Sequence, residues 1–296
     1  MQTFLLLAPD FALILLGCGL YRHAGFPEDF WVGLEKLVYF VLFPALLFGT
    51  LVRTHIDVVG MFPLFVAGWL TMLAGLLLGL AGKPFMGLRP ITFASRLQCA
   101  FRFNTYIAIA VAGKVYGLVG IATMGAMVGA MVPLANIAAV SLLARHGSSK
   151  LLGELVRNPL ILATLAGIAF NLADLVLPKP FEQFFARLSD ASISLGLLAV
   201  GAALRWGSIE GHWLGSAWLV VVKLLLLPLV AWFLAPALGL TGITRDIAVL
   251  FAALPTASSA YILAVRMGGD GAGVAWLISA TTLLSVFTMT FWLGLL

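Results

Sequence analysis

The sequence predicts an all-α membrane protein: ten transmembrane helices in two inverted five-helix repeats, with the fourth and ninth helices broken in mid-span. Three observations carry this. Of the 296 residues 62% are hydrophobic and 10% charged, and the mean hydropathy is +1.11, which leaves too little polar surface to cover a soluble globule. The apolar runs are continuous and about twenty residues long, as a spanning helix requires, whereas a transmembrane barrel would show short segments of alternating polarity. Finally, a shift of 152 residues aligns Gly49 with Gly201, Arg53 with Arg205, Asn104 with Thr256, Ala112 with Ala264, Lys114 with Arg266 and Gly117 with Gly269. That shared offset divides the chain into a first repeat (1–147), a cytoplasmic connection (148–158) and a second repeat (159–296). Five spans is an odd number, so the second set must be inverted relative to the first.

Taken in order, the apolar runs place spans at 3–21, 30–52, 59–81, 91–115, 118–143, 159–177, 181–204, 213–234, 247–267 and 271–296. Short connections rich in Gly, Pro and charge separate them, among them AGFPED, AGKPFMGLRP and GLTGITRD. The stretch SSKLLGELVRNP reads as a short amphipathic segment on the inner leaflet or as a plain link between the halves. The opening MQTFLLLAPDF lacks a positive n-region and carries Asp10 where an h-region would be unbroken, so it is expected to be kept as the first span. With the N-terminus outside, inner loops and flanks hold ten basic residues (Arg22, Lys36, Lys83, Arg89, Arg96, Arg145, Lys150, Arg157, Arg205, Arg266) against five outside. The positive-inside rule therefore places both termini outside. The net charge of +5 is scattered between apolar runs, which argues against a nucleic-acid partner. Cys18 and Cys99 lie far apart and without ligand spacing, so neither a disulfide nor a metal site is expected, and no cofactor is.

Two interrupted spans carry the chemistry. The fourth reads LQCAFRFNTYIAIAVAGKVYG, with Arg102, Asn104 and Thr105 at its middle; the ninth reads LFAALPTASSAYILAVRMGG, with Pro255, Thr256 and Ser258. A break leaves unpaired N–H groups at the start of the second half-helix, and with the helix dipole these form an anion-binding end. Asn104, Thr105, Thr256 and Ser258 are residue types that cap such an end or bind a ligand, while Pro255 opposes an unbroken helix. Either span alone is better read as a kinked helix with satisfied polar side chains; it is the pair, in matching places, that points to a substrate site. Lys223, in WLVVVKLLLLPLVAW, is the more central of two basic residues deep in spans. It is expected to neutralise a bound carboxylate, to pair with an acidic residue or to snorkel. Asn136 and Ser285 are further candidates for the same cavity, although hydroxyls such as Ser279, Thr281, Thr282 and Thr288 commonly bond the helix backbone. Asp10 and Glu35, with Asp190 behind them, are candidates for proton or sodium coupling. The four histidines lie in or beside loops, so no catalytic constellation forms and an enzyme is not expected.

Through LEKLVYFVLFPALLFG, FRFNTYIAIA, VPLANIAAV, LVRNPLILATLAGI, LLAVGAALR, LPTASSAYILAVRMGGD and SATTLLSVFTMT, in that order, the chain resembles the auxin efflux carrier family, which includes plant PIN-type carriers and many bacterial members. The resemblance implies a ten-helix inverted-repeat fold in which broken helices four and nine cross. It implies a central site for a small organic anion, commonly a homodimer, and both termini outside; for a bacterial member the location is the inner (plasma) membrane. Span four departs from the family pattern in lacking a proline at its break, and the connection between spans five and six is short where PIN-type carriers have a long loop. Bacterial relatives are associated with malonate and other carboxylates, so the resemblance does not imply auxin itself. The expected function is a secondary transporter of a small organic anion, with membrane lipid as its surroundings; an anion channel of the same fold and a non-transporting receptor are the alternatives.

Overall fold

The computed structural model describes residues 2–53, 60–144, 159–173, 175–204 and 213–296. The amphipathic segment and the connection over 148–158 fall outside the described residues, as does Arg205. Every described element is helical. In chain order these are α1 (Gln2–His23), α2 (Glu28–Arg53), α3 (Phe62–Ala81), α4 (Pro90–Leu97), α5 (Thr105–Ala144), α6 (Pro159–Leu172), α7 (Lys179–Ala202), α8 (Trp213–Ala237), α9 (Gly242–Ala253), α10 (Ser259–Arg266) and α11 (Gly271–Leu295), with a one-turn helix at Lys83–Met86. Six stretches are long and apolar enough to cross a membrane, so the protein is an integral, multi-pass membrane protein. Large apolar side chains including Phe62, Leu77, Leu165, Phe233 and Phe287 face outward, as a lipid-facing surface requires.

Prolines set the irregularities of the long helices. A proline has no N–H, and its ring collides with the carbonyl four residues earlier. In α2 the stretch Val38–Leu42 just ahead of Pro44 is a π turn in which the Phe43 N–H reaches back to the Val38 carbonyl. In α8 Val222–Leu226, just ahead of Pro228, does the same, with the Leu227 N–H bonded to Val222. The Leu224 carbonyl, which Pro228 cannot satisfy, accepts instead from the Trp292 indole at 3.1 Å. Lys223 sits inside that π turn.

α5 runs from 105 to 144 with one non-helical residue, Gly117, at φ 62° and ψ −146°. Only glycine reaches that conformation cheaply, and it folds the helix back so that Ile121 packs over Gly113. The boundary between the fourth and fifth expected spans, between 115 and 118, falls on this kink. α2 and α7 begin at positions 28 and 179, and α4 and α9 at 90 and 242, so helix starts recur at the sequence offset of 152 to within one residue.

Two groups of helices pack internally. α1 lies against α7, and α2 against both α6 and α7. A side chain at Gly201 would run into the backbone of Ile14, and one at Gly17 into that of Leu198, so α1 and α7 touch main chain to main chain. The second group joins α8 to α9, α3 to α8 and α5, and α11 to α9 and α10. Within it Gly75 of α3 faces the Ala100 carbonyl, where an added Cβ would lie 2.8 Å away.

Candidate functional site: the crossing of two broken helices

The fourth expected span is divided in the structure. α4 ends in a tight turn over Gln98–Ala100, residues 101–104 leave helical geometry, and α5 begins at Thr105. The ninth is divided likewise, with α9 stopping at Ala253, an irregular 254–258, and α10 starting at Ser259. The two breaks meet. The Asn104 N–H donates to the Pro255 carbonyl at 2.9 Å, and Phe103 packs on Phe251 with ring centroids 4.4 Å apart. Residues 104 and 256, aligned by the 152-residue sequence offset, thus stand on either side of one backbone contact.

Each polar candidate has a definite place. The Asn104 side-chain oxygen accepts from the N–H groups of Tyr106 (3.0 Å) and Ile107 (3.2 Å), which caps the first arm of α5. Its amide nitrogen is buried with no hydrogen-bond partner, and the residue is 1% exposed. Thr105 follows as the first helical residue, half-buried. Thr256 caps nothing: its hydroxyl donates to the Cys99 carbonyl at 2.9 Å, and its N–H donates to the Thr281 hydroxyl at 3.2 Å. Ser258 stands at the start of α10 without capping it, and its hydroxyl is buried and unpaired. Ser285 donates to the Thr282 carbonyl on its own helix, while the Thr282 hydroxyl is another buried group without a partner. Asn136 is half-buried on the second arm of α5. At about 1.5 Å per residue from the Gly117 turn it lies roughly two helical turns past the level of Asn104.

Two cations flank the ninth-span break. Lys223 is 2% exposed, and its ammonium group reaches the Ala252 carbonyl at 3.5 Å, at the carboxyl end of α9. Arg102 is 7% exposed and donates to the Ser259 hydroxyl at 2.9 Å, at the amino end of α10, with a longer contact to Gln98. Gln98 in turn donates to the Ala260 carbonyl. The ion pairs among the described residues, Arg96–Asp270 and Lys114–Asp10, include neither cation. Lys223 therefore does not pair with an acidic side chain there, and Arg102 is held against α10.

The two acidic candidates have different places. Asp10 pairs with Lys114 at 3.1 Å, tying α1 to the first arm of α5. Glu35 lines a cleft of about 140 Å³ shared with Tyr21, Trp31, Ser258 and Tyr261, so it faces the crossing from the α2 side through Ser258.

Sequence reasoning missed a second cluster. Arg96, counted above as a solvated cytoplasmic flank, is 1% exposed inside the fold and donates to the Asp270 carboxylate at 2.6 Å. Asp270 also caps α11 by accepting from the Gly273 N–H, and its own N–H donates to the Ser95 hydroxyl. The available signal was the lone acid after GG in LAVRMGGD, ahead of a long apolar helix, which is an N-cap pattern.

The family model described as "Membrane transport protein" matches residues 143–293, about half the chain. The chain is 27% identical, across 96% of its length and 93% of the relative's, to a protein of Rhizobium meliloti (strain 1021) named "Putative malonate transporter". It is 26% identical, across 95% of its length and 94% of the relative's, to an "Uncharacterized transporter" of Methanothermobacter thermautotrophicus. The protein is a membrane transporter, not an enzyme. It belongs to the membrane transport protein family, the auxin efflux carriers that its sequence motifs resemble.

Proposed function

We propose that the protein is a secondary carrier that moves a small carboxylate across the bacterial inner membrane by alternating access. The observation that carries this reading is the pair of buried, carboxylate-free cations on either side of the crossing. Burying one unpaired cation in a membrane protein is costly, and an arriving anion would offset that cost for both Lys223 and Arg102. The unpaired amide nitrogen of Asn104 and hydroxyl of Ser258 are donors suited to carboxylate oxygens. The start of the first arm of α5 adds the positive end of a helix dipole. Thr105, Pro255 and Thr256 shape the same crossing, and Asn136 and Ser285 belong to its outer lining.

In this reading the ten spans form two inverted repeats, 1–147 and 159–296, joined by a cytoplasmic connection, with both termini outside. The helix starts that recur at one offset support it. α1, α2, α6 and α7 form the scaffold, which pairs as a homodimer, and the remaining helices form the moving bundle. Malonate is the first substrate to try, given the name of the relative from Rhizobium meliloti. Purified protein in liposomes is screened with labelled mono- and dicarboxylates. Saturable uptake that Asn104→Ser abolishes supports the carrier; large unitary anion currents would show a channel, and binding without flux a receptor.

A further inference from the structure

Two features lie at opposite ends of the crossing, and both sit between the scaffold helices and the moving bundle. At one end is the cleft of about 140 Å³. Tyr21 of α1, Trp31 and Glu35 of α2 and Ala202 of α7 form one wall, and Ser258 and Tyr261, at the start of α10, stand on the other. At the other end Lys114 of α5 reaches Asp10 of α1 at 3.1 Å. Contacts along the helices fix which end is which. α10 leaves the crossing beside α4: Arg102 and Gln98 donate to Ser259 and Ala260, and further on the Asp270 N–H donates to Ser95. The first arm of α5 leaves the other way. From Gly68 to Gly79, α3 passes first Met127 and Met131, on the folded-back arm of α5, then Ala100 and then Leu97. Lys114 stands ten residues past Asn104 on the first arm, about 15 Å, and Asp10 eleven residues before Tyr21 on α1, about 16 Å.

The pair is sheltered, with side chains 26% exposed for Lys114 and 15% for Asp10, so water and salt screen it less than an open surface pair. Of the ion pairs among the described residues, Arg96–Asp270 stays inside the moving bundle, and Asp10–Lys114 joins the bundle to the scaffold. A carrier that opens to two sides in turn needs contacts that hold in one state and break in the other. We propose that the Asp10–Lys114 ion pair is a latch: it keeps the Gly117 end of the site shut while the cleft end is open, and it breaks each time the carrier turns to open the Gly117 end. With the termini outside, the latched end faces outward. The inference rests on the carrier reading and deepens it.

A cysteine below the latch tests this without substrate. Ile107 is 1% exposed and lies two helical turns from Lys114 on the same face of α5, so trimming Lys114 alone does not uncover it; parting α1 from α5 does. Ile107→Cys is placed on Cys18→Ala, and its labelling by a charged maleimide is timed in purified protein. The same proteins without the reporter, in which the buried Cys99 reacts only on unfolding, set the background. Asp10→Asn and Lys114→Met each raise the labelling rate about fivefold, the factor that the upper range for accessible ion pairs carries. Lys114→Arg and the charge swap Asp10→Lys/Lys114→Asp label as slowly as the parent. Unchanged labelling in both neutral variants, or a charge swap that labels as fast as they do, would overturn the latch. Malonate counterflow in protein without the reporter reads the carrier separately. Counterflow together with latch-insensitive labelling removes the latch and leaves the carrier; latch-dependent labelling in a protein that exchanges no carboxylate supports the latch and removes the carrier.

Discussion

Asp270→Ala tests the physical account of the fold most sharply. Asp270 has two tasks: it accepts from the buried Arg96 at 2.6 Å, and it caps α11 through the Gly273 N–H at 2.9 Å. Removing the carboxylate leaves a guanidinium that is 1% exposed without its counter-ion. One nitrogen of that group already lacks a partner, and the other long contact, to Ser216, is 3.4 Å. Breaking a buried pair from one side costs about 3 to 5 kcal/mol, and losing the cap adds about 1. At roughly 2 °C per kcal/mol for a chain of this size, the unfolding midpoint in detergent falls by about 8 to 12 °C. The double variant Arg96→Met/Asp270→Ala removes the stranded charge and recovers most of the pair's share, leaving chiefly the cap deficit. Tryptophan fluorescence during a thermal ramp reads the wild type, the single variants Asp270→Ala and Arg96→Met, and the double variant. A single variant within about 2 °C of wild type, or a double variant whose loss equals the sum of the two single losses, would refute the reasoning.

The other predictions concern the crossing and the helix contacts. Asn104→Ser keeps an oxygen to cap α5 but loses the amide nitrogen, so its midpoint stays within about 2 °C while malonate uptake is lost; Asn104→Ala loses both uptake and about 1 kcal/mol of stability. Gly201→Leu drives a side chain into the Ile14 backbone, which cannot give way as a side-chain tip can; size-exclusion chromatography should show aggregated protein, because overpacking against main chain exceeds the usual ~1–3 kcal/mol. Asp246 lies just ahead of the ninth expected span, and burial holds its carboxyl above the usual range, a rise partly offset by a hydrogen bond from Tyr116 and by Arg245. A carboxyl raised in the folded state contributes stability at low pH that is lost as pH rises through its folded pKa. Asp246→Asn should therefore stabilise the protein relative to wild type at neutral pH, with the difference shrinking toward pH 4 in paired thermal ramps.

Both breaks were legible in the sequence because Asn104 and Pro255–Thr256 interrupt membrane-length apolar runs, and the 152-residue offset put them in register. The kink at Gly117 was legible as a span boundary. Where span four breaks was not, since without a proline nothing local separates residues 101–104 from a continuous helix; the Asn104–Pro255 contact that holds the break joins distant segments. The Arg96–Asp270 pair, 174 residues apart in the chain, was hidden for the same reason, and hydropathy alone made Arg96 look like a flank. The roles of Thr256 and Ser258 also depended on tertiary contacts: both are cap-type residues, yet the Cys99 carbonyl takes the first hydroxyl and the second is left unpaired. The close approach of α1 and α7 is written in Gly17 and Gly201, but which glycines meet is settled only by packing.

Counterflow of labelled malonate in proteoliposomes is the most direct measurement of the central claim, that the crossing of the two broken helices is an anion carrier's binding site. Vesicles preloaded with unlabelled malonate should take up label transiently above equilibrium, with saturation, and Asn104→Ser should eliminate the overshoot. Uptake that rises linearly with concentration, shows no overshoot and survives the Asn104 substitution would contradict it.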